Sequence, residues 1–270
     1  MAYMMQEIRR GITMATSSLL LIWQDLFLLA FIAIPLILTV ATDLIAYNIL
    51  VTQSDNSVIN YLGLSQLINE VLRGPHWLHI AIGVFFLFLK VAIGMTFMAA
   101  LVVYSASELK GKILTFARSF VRLKSHWHAL LAWALIGTFE NIMVYQVMGT
   151  GYPVATRAAA MIMLSFWYFA SWLVLPLIIL EHNTIVRAII SSLILVKEKL
   201  WLILGGALWL LGLSIIPSLL FDVLDRSSLQ LGAGPYLFIA ALAGLLIVKS
   251  YILTAETLLK TMVYQSFYKR

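Results

Sequence analysis

Long apolar runs separated by short polar stretches set the pattern of this chain. A helix needs about 20 predominantly apolar residues to cross a hydrocarbon core. Six runs meet that need: Leu26–Ala46, Leu78–Tyr104, Ala129–Met148, Ala158–Leu180, Leu200–Phe221 and Tyr236–Ala255. The second and fourth are long, which predicts tilt or extension past the bilayer. Pro35, Pro176 and Pro217 lie inside runs, where each removes a backbone donor and predicts a kink that neighbouring helices must support.

The polar stretches carry a second pattern. Residues 17–29 align without gaps on residues 191–203, both opening on a Ser-Ser pair, and a weaker copy begins at Ser119. Each copy places a polar segment before an odd-numbered run. Glu108, Glu181 and Glu256 follow the even-numbered runs at spacings of 73 and 75 residues. Within the segment 110–124, Ile113, Phe116, Ala117, Phe120 and Val121 recur at helical spacing, with Lys112, Arg118, Arg122 and Ser125 mainly on the other face. Ile8, Ile12, Ala15, Leu19 and Ile22 form a similar stripe. The expected architecture is all-α and polytopic. Six transmembrane helices form three hairpin repeats (about 5–104, 105–181 and 182–260), each preceded by an interfacial amphipathic helix. The whole of 1–270 then forms one transmembrane domain.

Composition agrees with this and removes alternatives. Hydrophobic residues make up 62% and charged residues 11% of the 270, against roughly 45–50% and about 25% in soluble domains. The stretches between runs, at about 30 residues or fewer, are too short for a soluble catalytic domain of at least roughly 50. With no cysteine, thiolate nucleophiles, disulfides and iron–sulfur ligation are excluded. The net charge of +6 sits beside apolar runs, which favours anionic lipid headgroups over nucleic acid as partner. With the amino terminus cytoplasmic, 13 of the 18 Lys and Arg fall on that side and three (Arg73, Arg157, Arg226) on the other. This bias predicts cytoplasmic termini in a bacterial inner membrane. The basic start resembles a secretory signal, but its apolar run continues past Asp25 without a small-residue cleavage site, so it is expected to be retained.

Charges inside a span cost roughly 2.5–3.5 kcal/mol on insertion scales and mark functional sites by default. Lys90 and Glu140 fall at similar depth in runs two and three and are expected to pair, with Asn141 and Gln146 completing the hydrogen bonding. Lys249 lies in the inner half of run six and Asp43 near the outer end of run one. These residues read either as a polar path for an anionic substrate or proton relay, or as structural glue between helices. Lys110, Lys112, Arg118, Arg122 and Lys124 are candidate contacts for lipid headgroups or a protein partner. His76 and His79, with Glu70 upstream, fall short of a held metal site and read as interfacial. His126-Trp127-His128 marks the entry to run three, and Gly205-Gly206 reads as a close helix approach. Trp167, Tyr168 and Trp172 either line a cavity or pack. No hydrolase, zincin or Walker pattern is present, and neither cofactor, metal nor catalytic residue is expected.

The stretch from Phe169 through Pro176 to Glu181, followed by Ala188, Ser191-Ser192 and Lys197 to Trp201, resembles a signature of an uncharacterised six-span bacterial integral membrane family. That family is distantly similar to the membrane domain of some glycerophosphodiester phosphodiesterases. The resemblance covers Phe116 to about Leu211. It implies a six-helix bundle that handles, or sits beside, lipid-like or phosphate-bearing molecules; without the soluble catalytic domain, it does not imply hydrolysis. Two functions follow as expectations: transport or handling of a small anionic or lipid-like molecule through a polar interior, or a non-catalytic scaffold docking through its basic amphipathic helices.

Overall fold

The computed structural model describes residues 2–50, 76–112, 114–148, 153–213, 215 and 234–268. Among these the chain is helical without strands: α1 (Ala2–Gln24), α2 (Phe27–Leu50), α3 (His76–Glu108), α4 (Phe116–Arg122), a 3₁₀ turn at Leu123–His126, α5 (Trp127–Met148), α6 (Val154–Ala170), α7 (Val174–Glu181), α8 (Ile185–Glu198), α9 (Leu200–Leu213) and α10 (Gly234–Tyr268). Three stretches are long and apolar enough to cross a membrane (Ile80–Glu108, Phe116–Val144 and Val154–Glu181), and α1 with α2 make a fourth candidate bent by 90°. Phe85, Phe139, Ile162, Phe166 and Ile247 are all exposed. Such a belt is unfavourable in water and suits lipid.

The bend between α1 and α2 has an identifiable cause. Asp25 Oδ1 accepts the Phe27 amide at 3.0 Å, capping α2, while Oδ2 accepts the Tyr104 hydroxyl at 2.7 Å. The turn is thereby tied to α3. The stripe expected on α1 is seen in part: Ala15 and Ile22 are buried, but the buried line runs through Glu7, Gly11, Ala15, Ser18 and Ile22, with Ile8, Ile12 and Leu19 half-buried beside it. On α4 the stripe is rotated from expectation. Ser119 and Leu123 are buried and Phe116 and Phe120 half-buried, but Ala117 is exposed and Val121 is 65% exposed. Phe31 explains the rotation, because its ring meets those of Phe116 and Phe120 at 4.4 and 6.1 Å and draws that edge inward.

Small residues let the helices close on one another. A Cβ on Gly11 would lie 2.0 Å from the Leu202 carbonyl oxygen, and one on Gly205 would lie 2.4 Å from that of Ile8. Gly205-Gly206 therefore serves the close crossing of α1 and α9. In α3, Ala99, Ala100, Ser105 and Ala106 are buried, as are Thr254, Ala255, Thr257 and Thr261 of α10. The Thr254, Thr257 and Thr261 hydroxyls each donate to the carbonyl four residues back in their own helix, so these faces pack without unsatisfied donors. Gln265 Nε2 then reaches the Ala106 carbonyl at 3.2 Å, joining the ends of α10 and α3.

The expected fourth span is interrupted. Pro176 has no N–H to give the Trp172 carbonyl, and its ring crowds that turn. The helix breaks at residues 171–173, between α6 and α7. The Val174 amide moves to the Ser171 carbonyl and the Trp172 amide to that of Phe169, leaving the Ala170 carbonyl and the Leu173 amide without helical partners. Ser192 of α8 serves both. Its hydroxyl donates to Ala170 O at 2.7 Å and accepts from Leu173 N at 3.2 Å. A serine offers one donor and two acceptor lone pairs, which matches the two orphaned groups.

Candidate functional site

The stitched break forms one wall of a cleft of about 800 Å³ between α5, α6, α9 and α10. Its polar lining is Glu140, Ser165, Tyr168, Lys249 and Glu256, with Trp172 beside them. Met161, Leu208 and Leu211 line it too and are exposed, so the cleft has an apolar rim. The volume falls in the range of small-molecule pockets, roughly 300–1,000 Å³.

Within the cleft, Glu256 is held through Oε1. It accepts the Tyr168 hydroxyl and forms an ion pair with Lys260 at 2.8 Å. The Lys260 ammonium also lies 5.5 Å from the centre of the Tyr168 ring and 5.6 Å from that of Trp172. Glu140 sits beside Trp167. Lys249, exposed, has no ion pair or hydrogen bond among the described residues. A carboxylate and an ammonium are thus offered to one apolar space without neutralising each other.

The sequence-predicted residues divide accordingly. Glu140, Lys249 and Glu256 are brought together in the cleft. Lys90 is not joined to Glu140: the described residues hold no ion pair between them, and Lys90 has partners of its own. Gly137, one turn from Glu140, lies against Val91 and Met95, so the two helices meet near these residues, but Glu140 itself lines the cleft. Asn141 does not complete the bonding of Glu140 either. Its Nδ2 donates to the Gly137 carbonyl at 2.7 Å in its own helix. The side chains of Asp43, Gln146, His76 and His79, and Glu70 altogether, lie outside the described residues.

Glu181 ties helix ends together. It accepts the Tyr264 hydroxyl at 3.1 Å and the Asn183 amide at 2.7 Å. Burial, then the charge of Glu181, raises the Tyr264 pKa above the usual tyrosine value and keeps its hydroxyl a donor. Glu108 closes α3, its carbonyl accepting the Gly111 amide at 2.8 Å. Of the basic group, Lys110, Lys112, Arg122 and Lys124 line a second cleft at the junction of α3, α4 and α7, while Arg118 lies off it. The links Tyr104–Asp25, Tyr168–Glu256 and Tyr264–Glu181 join partners 79 to 88 positions apart, and nothing local in the sequence announces them. No group of three or more metal-ligating side chains occurs among the described residues. No family model, curated protein or solved structure matches the chain.

Proposed function

We propose that this is a six-span protein of the bacterial inner membrane, built from three hairpin units with both termini cytoplasmic, that takes a small anionic or lipid-like molecule sideways from the bilayer into the cleft between α6, α9 and α10. The observation that carries the reading is the convergence of Glu140 and Lys249 on an apolar space with an exposed apolar rim. Such a rim accepts an acyl chain directly from lipid. Lys249 meets an anionic group near the inner interface, where a long cationic side chain reaches the headgroup level. Glu140 sets the polar floor, and the Glu256–Lys260–Tyr168 cluster holds the walls.

The threefold repeat is supported by equivalent burial. Ser18, Ser119 and Ser192 are each fully buried, and four residues on Ile22, Leu123 and Val196 are buried as well. Each pair is followed by a break: before α2, at the 3₁₀ turn, and before α9. The resemblance of residues 169–201 to six-span bacterial membrane proteins agrees with this reading.

A brominated lysophosphatidylglycerol tests the reading by quenching tryptophan fluorescence of the purified protein in detergent. Saturable quenching whose amplitude falls in Trp172→Phe and whose affinity weakens roughly tenfold or more in Lys249→Gln is expected, the latter being the loss of one charged hydrogen bond. Quenching that rises linearly with amphiphile and ignores both substitutions would refute it.

A further inference from the structure

A second site lies away from the lateral cleft. The space at the junction of α3, α4 and α7, about 570 Å³, is lined by Lys110, Lys112, Arg122, Lys124, His126 and His182. No carboxylate lines it. None of its four Lys and Arg forms an ion pair among the described residues, and Arg122 donates only to the Ser107 hydroxyl, at 3.3 Å. Glu181, the carboxylate next to His182, has its two oxygens occupied by Tyr264 and Asn183. Four cations sharing one concavity repel each other, and a multivalent anion seated among them removes that repulsion while accepting several charged hydrogen bonds at once.

The histidine wall is built rather than incidental. His126 is 8% exposed, and its Nε2 has no hydrogen-bond partner, while Nδ1 is 3.0 Å from the Ser125 hydroxyl. The His182 ring stacks on it at 4.4 Å and 25°. His182 caps the C-terminus of α7 at φ 54°, the left-handed conformation in which helices commonly end, and this turn sets its ring beside His126. Val103, Val121, Ile179 and Leu180 complete the lining with an apolar side.

We propose that this cleft binds the phosphate of an anionic phospholipid headgroup. The cations and the His126 imidazole receive the phosphate oxygens, and the apolar side carries the start of the acyl chains. Val121, exposed on α4 and lining the cleft, gives the acyl chains a route out along that helix. A soluble phosphomonoester offers the same oxygens but leaves the apolar wall bare.

The test uses the full chain in a non-ionic detergent, titrated with phosphatidylglycerol and read by native mass spectrometry as lipid bound per protein. Arg122→Gln with Lys124→Gln should weaken binding by roughly tenfold for each charged hydrogen bond lost. Lys110→Gln with Lys112→Gln, in the adjoining loop, should do the same and guards against a folding defect in the first pair. Arg118→Gln with Lys197→Gln removes the same charge outside the cleft and should leave binding within about twofold. Glu140→Gln should leave it unchanged, so failure of the lateral cleft does not count here. Glycerol 3-phosphate that displaces the lipid would support the phosphate site and name the soluble source; failure to displace it supports the lipid. Equal losses in the cleft and control pairs, or no saturable binding of either probe, would overturn the site.

Discussion

Replacing Ser192 by alanine probes the joint on which the cleft wall depends. The substitution removes one oxygen and leaves the Ala170 carbonyl and the Leu173 amide without partners, in residues 4% and 0% exposed. An unsatisfied buried group costs roughly 1–3 kcal/mol, and interhelical hydrogen bonds in a membrane bundle average about 0.6 and reach about 1.7 kcal/mol. The upper part of the membrane range applies, because the backbone at this break offers neither group a substitute. Two bonds then give about 2–3 kcal/mol, on the order of a hundredfold in the unfolding equilibrium. Ser18→Ala is the internal control. Ser18 is equally buried but donates only to the Ala15 carbonyl of its own helix, so its loss should cost less than about 0.5 kcal/mol, partly offset by the better helix propensity of alanine. Unfolding in mixed detergent micelles measures the difference, and amide exchange at Leu173, faster in Ser192→Ala, locates it. Equal destabilisation by the two substitutions, with Leu173 exchange unchanged, would refute the reasoning.

The α1–α9 crossing should reject even a methyl group: Gly11→Ala is expected to destabilise by at least about 2 kcal/mol, within the range for overpacking. Gly212→Ala, where a Cβ meets nothing within 4 Å, should be neutral or favourable in the same thermal unfolding series. The Tyr264–Glu181 bond carries a pH dependence of definite sign. The folded hydroxyl titrates above the ordinary tyrosine value of roughly 10, so its contribution is complete below that pH and is lost as pH rises through the raised value. Tyr264→Phe should lower stability at neutral pH and flatten the alkaline fall; an unchanged alkaline slope would contradict the assignment.

What was legible in the sequence follows the physics of each signal. Hydropathy marked apolar segments that are helical where described, apart from the break at 171–173, and three of them, or four with the bent α1–α2 pair, are long and apolar enough to cross a membrane. The stripe on α1 was legible to within one position, because the small residues Gly11 and Ser18, not Ile12 and Leu19, take the tightest contacts. The azimuth of Lys90 and Glu140 was not readable: an apolar run surrounds a polar residue with similar neighbours on every side, so nothing marks which helix it faces. Pro176 signalled trouble in the fourth run, whereas the remedy at Ser192 depends on a contact 16 positions further on. The Tyr168–Glu256 and Tyr264–Glu181 links are longer-range still, and tyrosine at a helix end reads equally well as an interfacial anchor. The four cations of the basic cleft were each visible, but their convergence around His126 and His182 needed the left-handed turn that ends α7.

The lateral cleft is proposed to open to lipid and to take an amphiphile. The chain lacks cysteine, so Ser165→Cys in the cleft and Met163→Cys on the exposed face each carry a single spin label without further engineering. Electron paramagnetic resonance in nanodiscs should show both labels relaxed by oxygen, the lipid-soluble probe, with only the Ser165 label losing mobility when lysophosphatidylglycerol is added. A Ser165 label shielded from oxygen and indifferent to the amphiphile would mean a dry, closed interface, and Glu140 and Lys249 would then be glue between helices.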